Sequence, residues 1–365
     1  MKILELTRFL EELAPTYLQE GYDNSGLIVG DEHKVLTKAL VCLDVTEEVI
    51  DEAVSKGANL VIAHHPIVFR GLKRITGKSH VERVIIKSIQ HDIAIYAIHT
   101  NLDNVLGGVN AKIGEKIGAI NCQILALKGE TLFKLITFVP LSAQKQVLEA
   151  LFEAGAGQIG NYHEASFRNE GLGTFKANDL ANPTIGSKGA QEEVQEFKLE
   201  VLVEKHLAKK VLRALRKAHP YEEVAYDLIP LANLNQERGS GMVGDLAEPM
   251  KTIDFFKQLQ SIFGVPVVRH TPIFKHEVQR VAWCGGAGSF LLPHAKAAGA
   301  DVFITGDFKY HEFFDAENQL IIADIGHYES EQFTSELLID KLNKKFRNFA
   351  FLLTEINTNP VNYFI

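Results

Sequence analysis

Two adjacent histidines end an apolar segment, "NLVIAHHPIVF", at residues 59–69. Imidazole is costly to bury unless both ring nitrogens have partners. If the segment is a strand, successive side chains point to opposite faces, and Pro66 keeps His65 extended. His64 and His65 are therefore poorly placed to chelate one ion together, but each can bind one of two neighbouring ions. For a histidine pair considered alone, capping or hydrogen bonding is the commoner role.

Other apolar segments also end in side chains that bind metals. The segment "IAIYAIHTNLD" provides His99 and Asp103, and "LIIADIGHYESE" provides His327 and Glu331. The segments "ALVCLD" and "DVFITGD" end in further carboxylates, Asp44 and Asp307. Ligands of open α/β sheets bind outside the carboxyl ends of the strands, so these side chains are expected to form one site. Imidazole and carboxylate without thiolate suit Zn, Fe, Mn or Co. We predict five metal ligands: His64, His65, Asp103, His327 and Glu331.

The two glutamates of "GHYESE" have different predicted roles. If a helix begins near His327, Glu331 at i+4 shares its face. A carboxylate has two oxygens and can bridge two ions, so Glu331 is the predicted bridging ligand. Glu329 at i+2 should point away, as a solvated charge in the first helical turn. Asp103 is expected in a loop beyond its strand, from which it turns inward.

The candidate catalytic residues are His99 and His311, either of which can serve as a general acid. His99 is predicted to orient a ligand or to contact substrate; a hydrogen-bonded core histidine is the open alternative. His311 and Asp307, in "TGDFKYHE", are expected as outer-shell groups or proton carriers. The glycine-rich "WCGGAGSF" at 283–290 either binds an anion through backbone amides at a helix N-terminus or is simply a tight turn.

The elements that position these residues follow an α/β pattern. Apolar strands alternate with helical segments from about residue 24 and again after residue 250, which predicts a mostly parallel sheet with flanking helices. The middle of the chain instead follows a β-α-β-β-α-β order, which is ferredoxin-like. We therefore predict an α/β metal-binding domain in two halves, 1–129 and 233–365, interrupted by an inserted α+β domain, 130–232. The stretch at 234–241 is interpreted as the exit linker.

Composition excludes several classes of protein. A length of 365 residues suggests two domains, and 46% hydrophobic with 23% charged residues is typical of a globular chain. A net charge of −8 makes a nucleic-acid partner unlikely, and the apolar runs are too short to span a membrane. The N-terminal segment has the pattern of an amphipathic helix rather than of a signal peptide. Three scattered cysteines indicate neither disulfides nor a thiolate site, so we expect a cytoplasmic protein.

The motifs "YDNSGLIVG", "AHHPIVF", "HTNLD", "CGGAGS", "TGDFKYHE" and "GHYESE" occur in this order along the chain. In these motifs the sequence resembles the GTP cyclohydrolase I type 2 homologues, the NGG-one-interacting-factor-three-like family, over nearly its whole length. Two further segments, "EAGAGQIGNYHEASF" and "AHPYEEVAYDLIPL", resemble the CutA/PII-like insert of the long bacterial form. The resemblance implies a dinuclear divalent-metal site with the same five ligands. It also implies a homohexamer with its sites facing an internal cavity.

Two functions follow as expectations. The first is a metal-dependent hydrolase, in which two ions activate a water and polarise a nucleotide-like or other anionic small molecule. The family label points to GTP as that substrate. The second is a non-enzymatic metal-binding or regulatory scaffold, with the insert as a sensor or partner-docking module. A test of turnover with metal-loaded protein separates them.

Overall fold

The computed structural model describes residues 1–364, which divide into two compact units. One unit contains residues 1–126 and the chain from 238 onward, and the other contains residues 127–237. The strands are β1 (Gly26–Val29), β2 (Ala39–Cys42), β3 (Leu60–Ala63), β4 (Ala94–Ala97), β5 (Ala119–Leu127), β6 (Leu132–Pro140), β7 (Ser166–Lys176), β8 (Gln191–Glu204), β9 (Tyr226–Pro230), β10 (Gly239–Lys251), β11 (Arg269–His270), β12 (Glu277–Ala287), β13 (Val302–Gly306), β14 (Ile321–Asp324) and β15 (Phe351–Leu353).

The α-helices are α1 (Ile3–Leu13), α2 (Glu47–Lys56), α3 (His80–Gln90), α4 (Thr100–Asp103), α5 (Val109–Ile117), α6 (Gln144–Glu153), α7 (Ala208–Ala218), α8 (Thr252–Phe263), α9 (Leu292–Ala297), α10 (His327–Glu331) and α11 (Thr334–Lys345). Short 3₁₀ helices lie at Thr16–Leu18, Leu141–Ala143, Lys205–Leu207, Ser289–Leu291 and Tyr310–Ala316. None of the helices within residues 1–364 has the length and apolar content that crossing a membrane requires.

The first unit contains two sheets, and both are mixed. The five-stranded sheet has the order β1-β4-β3-β2-β15. Its strands pair in parallel except at the edge, where β1 runs antiparallel to β4. The six-stranded sheet has the order β11-β14-β13-β12-β10-β5. Strands β12, β13 and β14 pair in parallel there, while β11 runs antiparallel to β14 and β10 runs antiparallel to β12.

The prediction of a mostly parallel sheet is therefore wrong. The alternating strands and helices do form parallel cores, but the sequence-based prediction missed β5, β10 and β11. The strand β10 is hard to recognise because it contains Pro249 and three glycines, and its register shifts between Asp245 and Met250. The predicted exit linker at 234–241 also overlaps the first residues of this strand.

The two sheets of the first unit share a central core. Alternate residues of each strand face it, such as Val41 and Ile62 in one sheet and Trp283 and Ile304 in the other. Four helices, α1, α5, α8 and α11, contribute apolar side chains to the same cluster. The outer faces pack separately, one against α2 and α3 and the other against α9. Each sheet is thus buried on both faces, which explains the continuous apolar runs of its central strands.

Local signals set the helix boundaries. Thr46 precedes α2, and its side-chain oxygen accepts a hydrogen bond from the Val49 amide at 3.3 Å. Gly57 ends this helix with a φ of 67°, a conformation that glycine adopts without strain. The next residues enter β3, whose four side chains are all buried. This compact turn delivers the chain to His64 and His65.

The second unit, residues 127–237, has one four-stranded sheet of order β7-β8-β6-β9. All its pairings are antiparallel. Its elements follow in the order β6-α6-β7-β8-α7-β9. Apolar side chains of α6 and α7, such as Leu151 and Val211, pack with strand residues such as Leu199 in a separate buried cluster.

Candidate metal centre

The carboxyl ends of the two sheets in the first unit meet at one site. Asp44, His65 and His99 follow β2, β3 and β4 of the five-stranded sheet. Asp307 follows β13 of the six-stranded sheet, and His327 begins α10 just after β14. The sequence predicted convergence at strand ends, and the structure brings these ends together from two different sheets.

Glu331 lies at the middle of this cluster. Its Oε2 is 3.0 Å from Nε2 of His65 and 3.1 Å from Nε2 of His327, while its Oε1 is 3.7 Å from Nε2 of His64. The side chain is 3% exposed, and α10 places it at i+4 from His327. The two carboxylate oxygens therefore face different imidazoles.

The clustered atoms form overlapping groups that have the composition of metal sites. One group is His64, Asp103 and Glu331, and the second is His65, His327 and Glu331. A third group contains His64, His65 and His99. Within each group the ligand atoms lie within 4.8 Å of one another. The first two groups share only Glu331.

Two buried polar atoms in the cluster have no hydrogen-bond partner in the described chain, Nε2 of His64 and Oδ1 of Asp103. They lie 3.8 Å apart. His64 Nδ1 donates to the Ile98 carbonyl at 2.9 Å, which leaves the Nε2 lone pair directed at the carboxylates. Unpaired buried polar atoms are costly and rare. A cation between these atoms would satisfy both, so the residues fit a metal.

Carboxylates hold the imidazoles in the orientation that metal binding needs. Asp44 accepts from Nδ1 of His65 at 2.7 Å, and Asp307 accepts from Nδ1 of His327 at 2.7 Å. Both contacts leave Nε2 facing Glu331, the arrangement that outer-shell carboxylates give metal-bound histidines. The predicted outer-shell position of Asp307 agrees with this contact.

His99 is oriented by a residue that the sequence-based prediction missed, Asp23. The Asp23 carboxylate accepts from Nδ1 of His99 at 2.7 Å and also contacts the Thr100 hydroxyl. Burial lowers the pKa of His99, although the hydrogen bond to Asp23 opposes this effect. The His99 ring packs 5.2 Å from that of His64. No spacing rule signals Asp23, because it lies 76 residues before His99.

Carboxylates of the cluster raise the pKa of two of its imidazoles. Burial alone would lower the pKa of His327, but hydrogen bonds to Asp307 and Glu331 raise it to about 11. The pKa of His65 rises to about 9 through Asp44 and Glu331, again against the effect of burial. Burial raises the pKa of Asp103 to about 7. Metal ligands must bind deprotonated, so an ion at these residues would have to displace protons.

Glycines make room for Glu331 beside strand β12. A Cβ at Gly286 would approach the Glu331 carboxylate carbon to 3.2 Å, and Gly286 has a φ of 62°. The amides of Gly285, Gly286 and Gly288 already donate to side chains of Asn110, Ser330 and Thr305. These three amides are therefore used within the chain, and residues up to Ala287 belong to strand β12 rather than to a turn.

Three further predicted placements differ from the structure. Asp103 is the last residue of α4 rather than part of a loop. Glu329 is only 7% exposed rather than solvated, because the amide of Asn359 donates to its carboxylate at 2.9 Å. His311 is exposed on the 3₁₀ helix Tyr310–Ala316 and does not line the cavity described next.

A cavity of about 980 Å³ opens over the cluster. Its walls include His65, His99 and Glu331 together with aromatic side chains such as Phe69 and Tyr328. The cavity is large enough for a small-molecule ligand.

Comparison with known proteins defines the class to which this fold and site belong. The family described as Duf34/NIF3 (NGG1p interacting factor 3) matches residues 1–360. A Halalkalibacterium halodurans protein called "GTP cyclohydrolase 1 type 2 homolog" is 41% identical over 98% of this chain and 97% of its own length. A Bacillus subtilis protein of the same name is 40% identical over 98% of both chains.

Comparison with solved structures supports the same classification. A Bacillus cereus protein related to NIF3 superposes with a TM-score of 0.87 at 37% identity, covering 100% of this chain and 99% of that one. The Staphylococcus aureus protein SA1388 gives a TM-score of 0.79 at 30% identity, with the same coverage. The chain therefore belongs to the Duf34/NIF3 family.

Proposed function

We propose that this protein binds two divalent metal ions and is a metal-dependent hydrolase acting on a small anionic, nucleotide-like molecule. The ligands in this proposal are His64, His65, Asp103, His327 and Glu331. The observation that carries it is the position of Glu331, whose two oxygens face two ligand groups that otherwise share no residue.

The donor set favours particular metals. Each group offers imidazole nitrogens and carboxylate oxygens but no thiolate, a combination that suits Zn, Fe, Mn or Co. Cys284 lines the cavity, but its thiol contacts the Gly285 carbonyl and belongs to neither group. The unpaired atoms of His64 and Asp103 support an ion at the first group.

Charge balance supports an anionic substrate. When bound, two neighbouring divalent ions supply an activated water and polarise the bond to be cleaved. Three neutral imidazoles and two carboxylates as direct ligands do not neutralise two divalent ions, although the outer carboxylates Asp44 and Asp307 reduce the remaining positive charge. An anionic group is therefore attracted to the cavity, whose aromatic walls Phe69 and Tyr328 suit a planar ring.

His99 is the proposed proton carrier. Asp23 fixes its Nδ1 as the donor, so Nε2 is the nitrogen that can accept a proton. Burial keeps its pKa low, and its ring contacts those of His64 and Phe69 at the cavity wall. His311 has no such position, and we therefore assign the role to His99 alone.

The nucleotide-like class rests on the relatives. Those from Halalkalibacterium halodurans and Bacillus subtilis carry the name "GTP cyclohydrolase 1 type 2 homolog", which makes GTP the first substrate to test. Metal-replete protein is assayed with GTP, other nucleotides and simple phosphoesters, with and without a chelator. We expect turnover that the chelator abolishes.

A substitution of His99 separates catalysis from metal binding. His99→Gln should lose most turnover while keeping both ions, because neither group sharing Glu331 contains this residue. Two tightly bound ions without turnover on any substrate would contradict the hydrolase and favour the alternative, a metal-binding or regulatory scaffold.

We further propose that residues 130–232 are an inserted ferredoxin-like domain of the CutA/PII-like kind. The order β7-β8-β6-β9 and the β-α-β-β-α-β sequence of elements support this, as does the compact unit at 127–237. A sensor or docking role for the insert would accompany either function.

A homohexamer and a cytoplasmic location complete the proposal. Large exposed apolar side chains in the first unit, such as Phe290 at 59% and Phe314 at 66% exposure, support burial between copies. Light scattering tests the assembly, and a stable monomer at micromolar concentration would contradict it. Three free cysteines support a reducing compartment.

A further inference from the structure

The inserted unit, residues 127–237, has a cavity of its own, with a volume of about 860 Å³. The segment 173–185 lines one side, and residues 221–225 line another. Two hydrogen bonds hold these segments together. The Asn182 amide donates to Glu222 at 2.6 Å, and the Thr184 hydroxyl donates to the Pro220 carbonyl at 2.9 Å. The cavity is thus formed by connected segments of one unit.

A buried carboxylate, that of Glu196 on β8, faces this cavity. The residue is 9% exposed. Its Oε1 accepts from the Tyr221 hydroxyl at 2.9 Å, whereas its Oε2 accepts no hydrogen bond within residues 1–364. Gly173 on the neighbouring strand leaves room for the carboxylate, since a Cβ there would overlap it. Glu196 is therefore a buried carboxyl group with unused acceptor capacity.

No protein cation neutralises Glu196. Both ring nitrogens of the nearby His219 are hydrogen-bonded in the way that a neutral imidazole allows. Its Nε2 donates to the Phe138 carbonyl at 2.9 Å, and its Nδ1 accepts a hydrogen bond from the Tyr221 amide at 3.1 Å. Burial lowers the pKa of His219, which agrees with this neutral form. Lys176, also in the wall, is exposed and makes no ion pair with Glu196 in the described structure. A buried carboxylate without a cationic partner is costly.

The described residues around Glu196 do not form a group with the composition of a metal site. Within residues 1–364, every group of three or more His, Cys, Asp or Glu side chains with metal-site spacing lies in the first unit. The cavity instead offers aromatic rings, Phe138, Phe175 and Tyr221, beside one buried carboxylate, that of Glu196; the other lining carboxylates, Glu222 and Glu223, are exposed. Aromatic faces attract organic cations, and one carboxylate matches one ammonium or guanidinium group.

We propose that this cavity binds a small organic cation that carries a primary ammonium or guanidinium group next to an apolar body. The cationic group pairs with the free oxygen of Glu196, and the apolar body packs against Phe175 and Tyr221. This site belongs to the inserted unit and does not depend on the metal centre. The proposed site assigns a ligand to the inserted unit, and this assignment does not depend on the function of the first unit.

Full-length, metal-replete protein is titrated by calorimetry with 2-phenylethylammonium, and with 2-phenylethanol as the neutral probe of similar shape. We expect the cation to bind at least tenfold more tightly than the alcohol. Glu196→Gln should weaken binding of the cation by roughly 10- to 100-fold, because a charged hydrogen bond is lost, and should leave the alcohol nearly unchanged.

Glu193→Gln is the matched control, since it makes the same chemical change at an exposed position of the same strand. It should leave binding of the cation within twofold, and circular dichroism should show all three proteins equally folded. Equal affinity for the cation and the alcohol would overturn the proposal. So would unchanged binding in a folded Glu196→Gln protein, or an equal loss in Glu193→Gln.

Discussion

Replacing one ligand of the proposed centre should remove one ion and leave the other. Asp103 belongs only to the group with His64, whereas His65 and His327 form the second group. Asp103→Asn keeps the size of the side chain but removes its charge and one ligand oxygen. We therefore expect this variant to hold about one ion per chain where the wild-type protein holds about two.

The size of the effect follows from the position of Asp103. Its Oδ1 is buried and has no hydrogen-bond partner in the described chain, so a cation is its only strong interaction. Loss of an outer-shell partner costs about 10- to 100-fold in metal affinity, and loss of a direct ligand should cost at least about 100-fold, or about 2.8 kcal/mol. At ten times the wild-type Kd, occupancy of that site would fall from about 90% to about 10%.

Elemental analysis after equilibrium dialysis against buffered metal measures the stoichiometry. Asp254→Asn is the control, because Asp254 is exposed on α8 and its side chain pairs within residues 1–364 with Lys257, at 3.3 Å, far from the cluster in sequence. It should keep two ions. The metal-free Asp103→Asn protein should be at least as stable as metal-free wild type above pH 7, since the substitution removes a carboxylate whose ionised form burial disfavours.

Glu331→Gln completes the test, because Glu331 is the residue that the two groups share. It should reduce loading toward zero rather than one. Two ions in Asp103→Asn would remove Asp103 from the ligand set. One ion in Glu331→Gln would refute the bridging role.

Three other perturbations test the surroundings of the centre. Glu329→Gln should retain both ions, measured by the same dialysis, because its carboxylate contacts Asn359 instead of the cluster; loss of loading equal to that of the bridging variant would contradict this. Asp307→Asn should lower the affinity for one of the two ions by about 10- to 100-fold, measured by competition with a chelator, because the His327 ring loses the hydrogen bond that orients it. An unchanged affinity would show that this contact does not orient His327. Replacing 130–232 with a short Gly/Ser linker should leave a folded unit that still binds two ions, since each unit has its own core; a folded but metal-free product would show that the insert supplies a ligand.

The parallel part of the fold could be predicted because its signals are local. The segments β2, β3, β13 and β14 are short runs of buried apolar residues, and each ends in a polar residue or a turn. The edge strands could not be predicted in the same way. β11 has only two residues, and β10 owes its extended form to pairing with β12 rather than to its own composition.

The inward position of Glu331 could be predicted from the sequence, but the burial of its neighbour Glu329 could not. Glu331 was identified by helical spacing, which depends only on the chain near His327. Glu329 lies in the same helix, yet its burial depends on Asn359, 30 residues further along the chain. Its environment is set by where the C-terminal segment runs, and no local pattern contains that information.

The spacing of residues along the sequence can identify some of the carboxylates that orient the histidines. Asp44 precedes His65 by 21 residues, and Asp307 precedes His327 by 20. Each pair follows adjacent parallel strands, β2 with β3 and β13 with β14, so one strand–crossover–strand repeat separates carboxylate from histidine. A carboxylate at the end of one strand and a histidine at the end of the next, about 20 residues later, is therefore a pattern that sequence can reveal.

Asp23 does not follow this rule, because it precedes β1, which runs antiparallel to β4 at the sheet edge. Asp23 thus lies at the amino end of β1, next to the carboxyl end of β4. Along the chain, β2 and β3 separate these two strands. The spacing of about 20 residues identifies a carboxylate and a histidine that follow two adjacent parallel strands. Partners carried by an antiparallel edge strand become visible only when the sheet order is known.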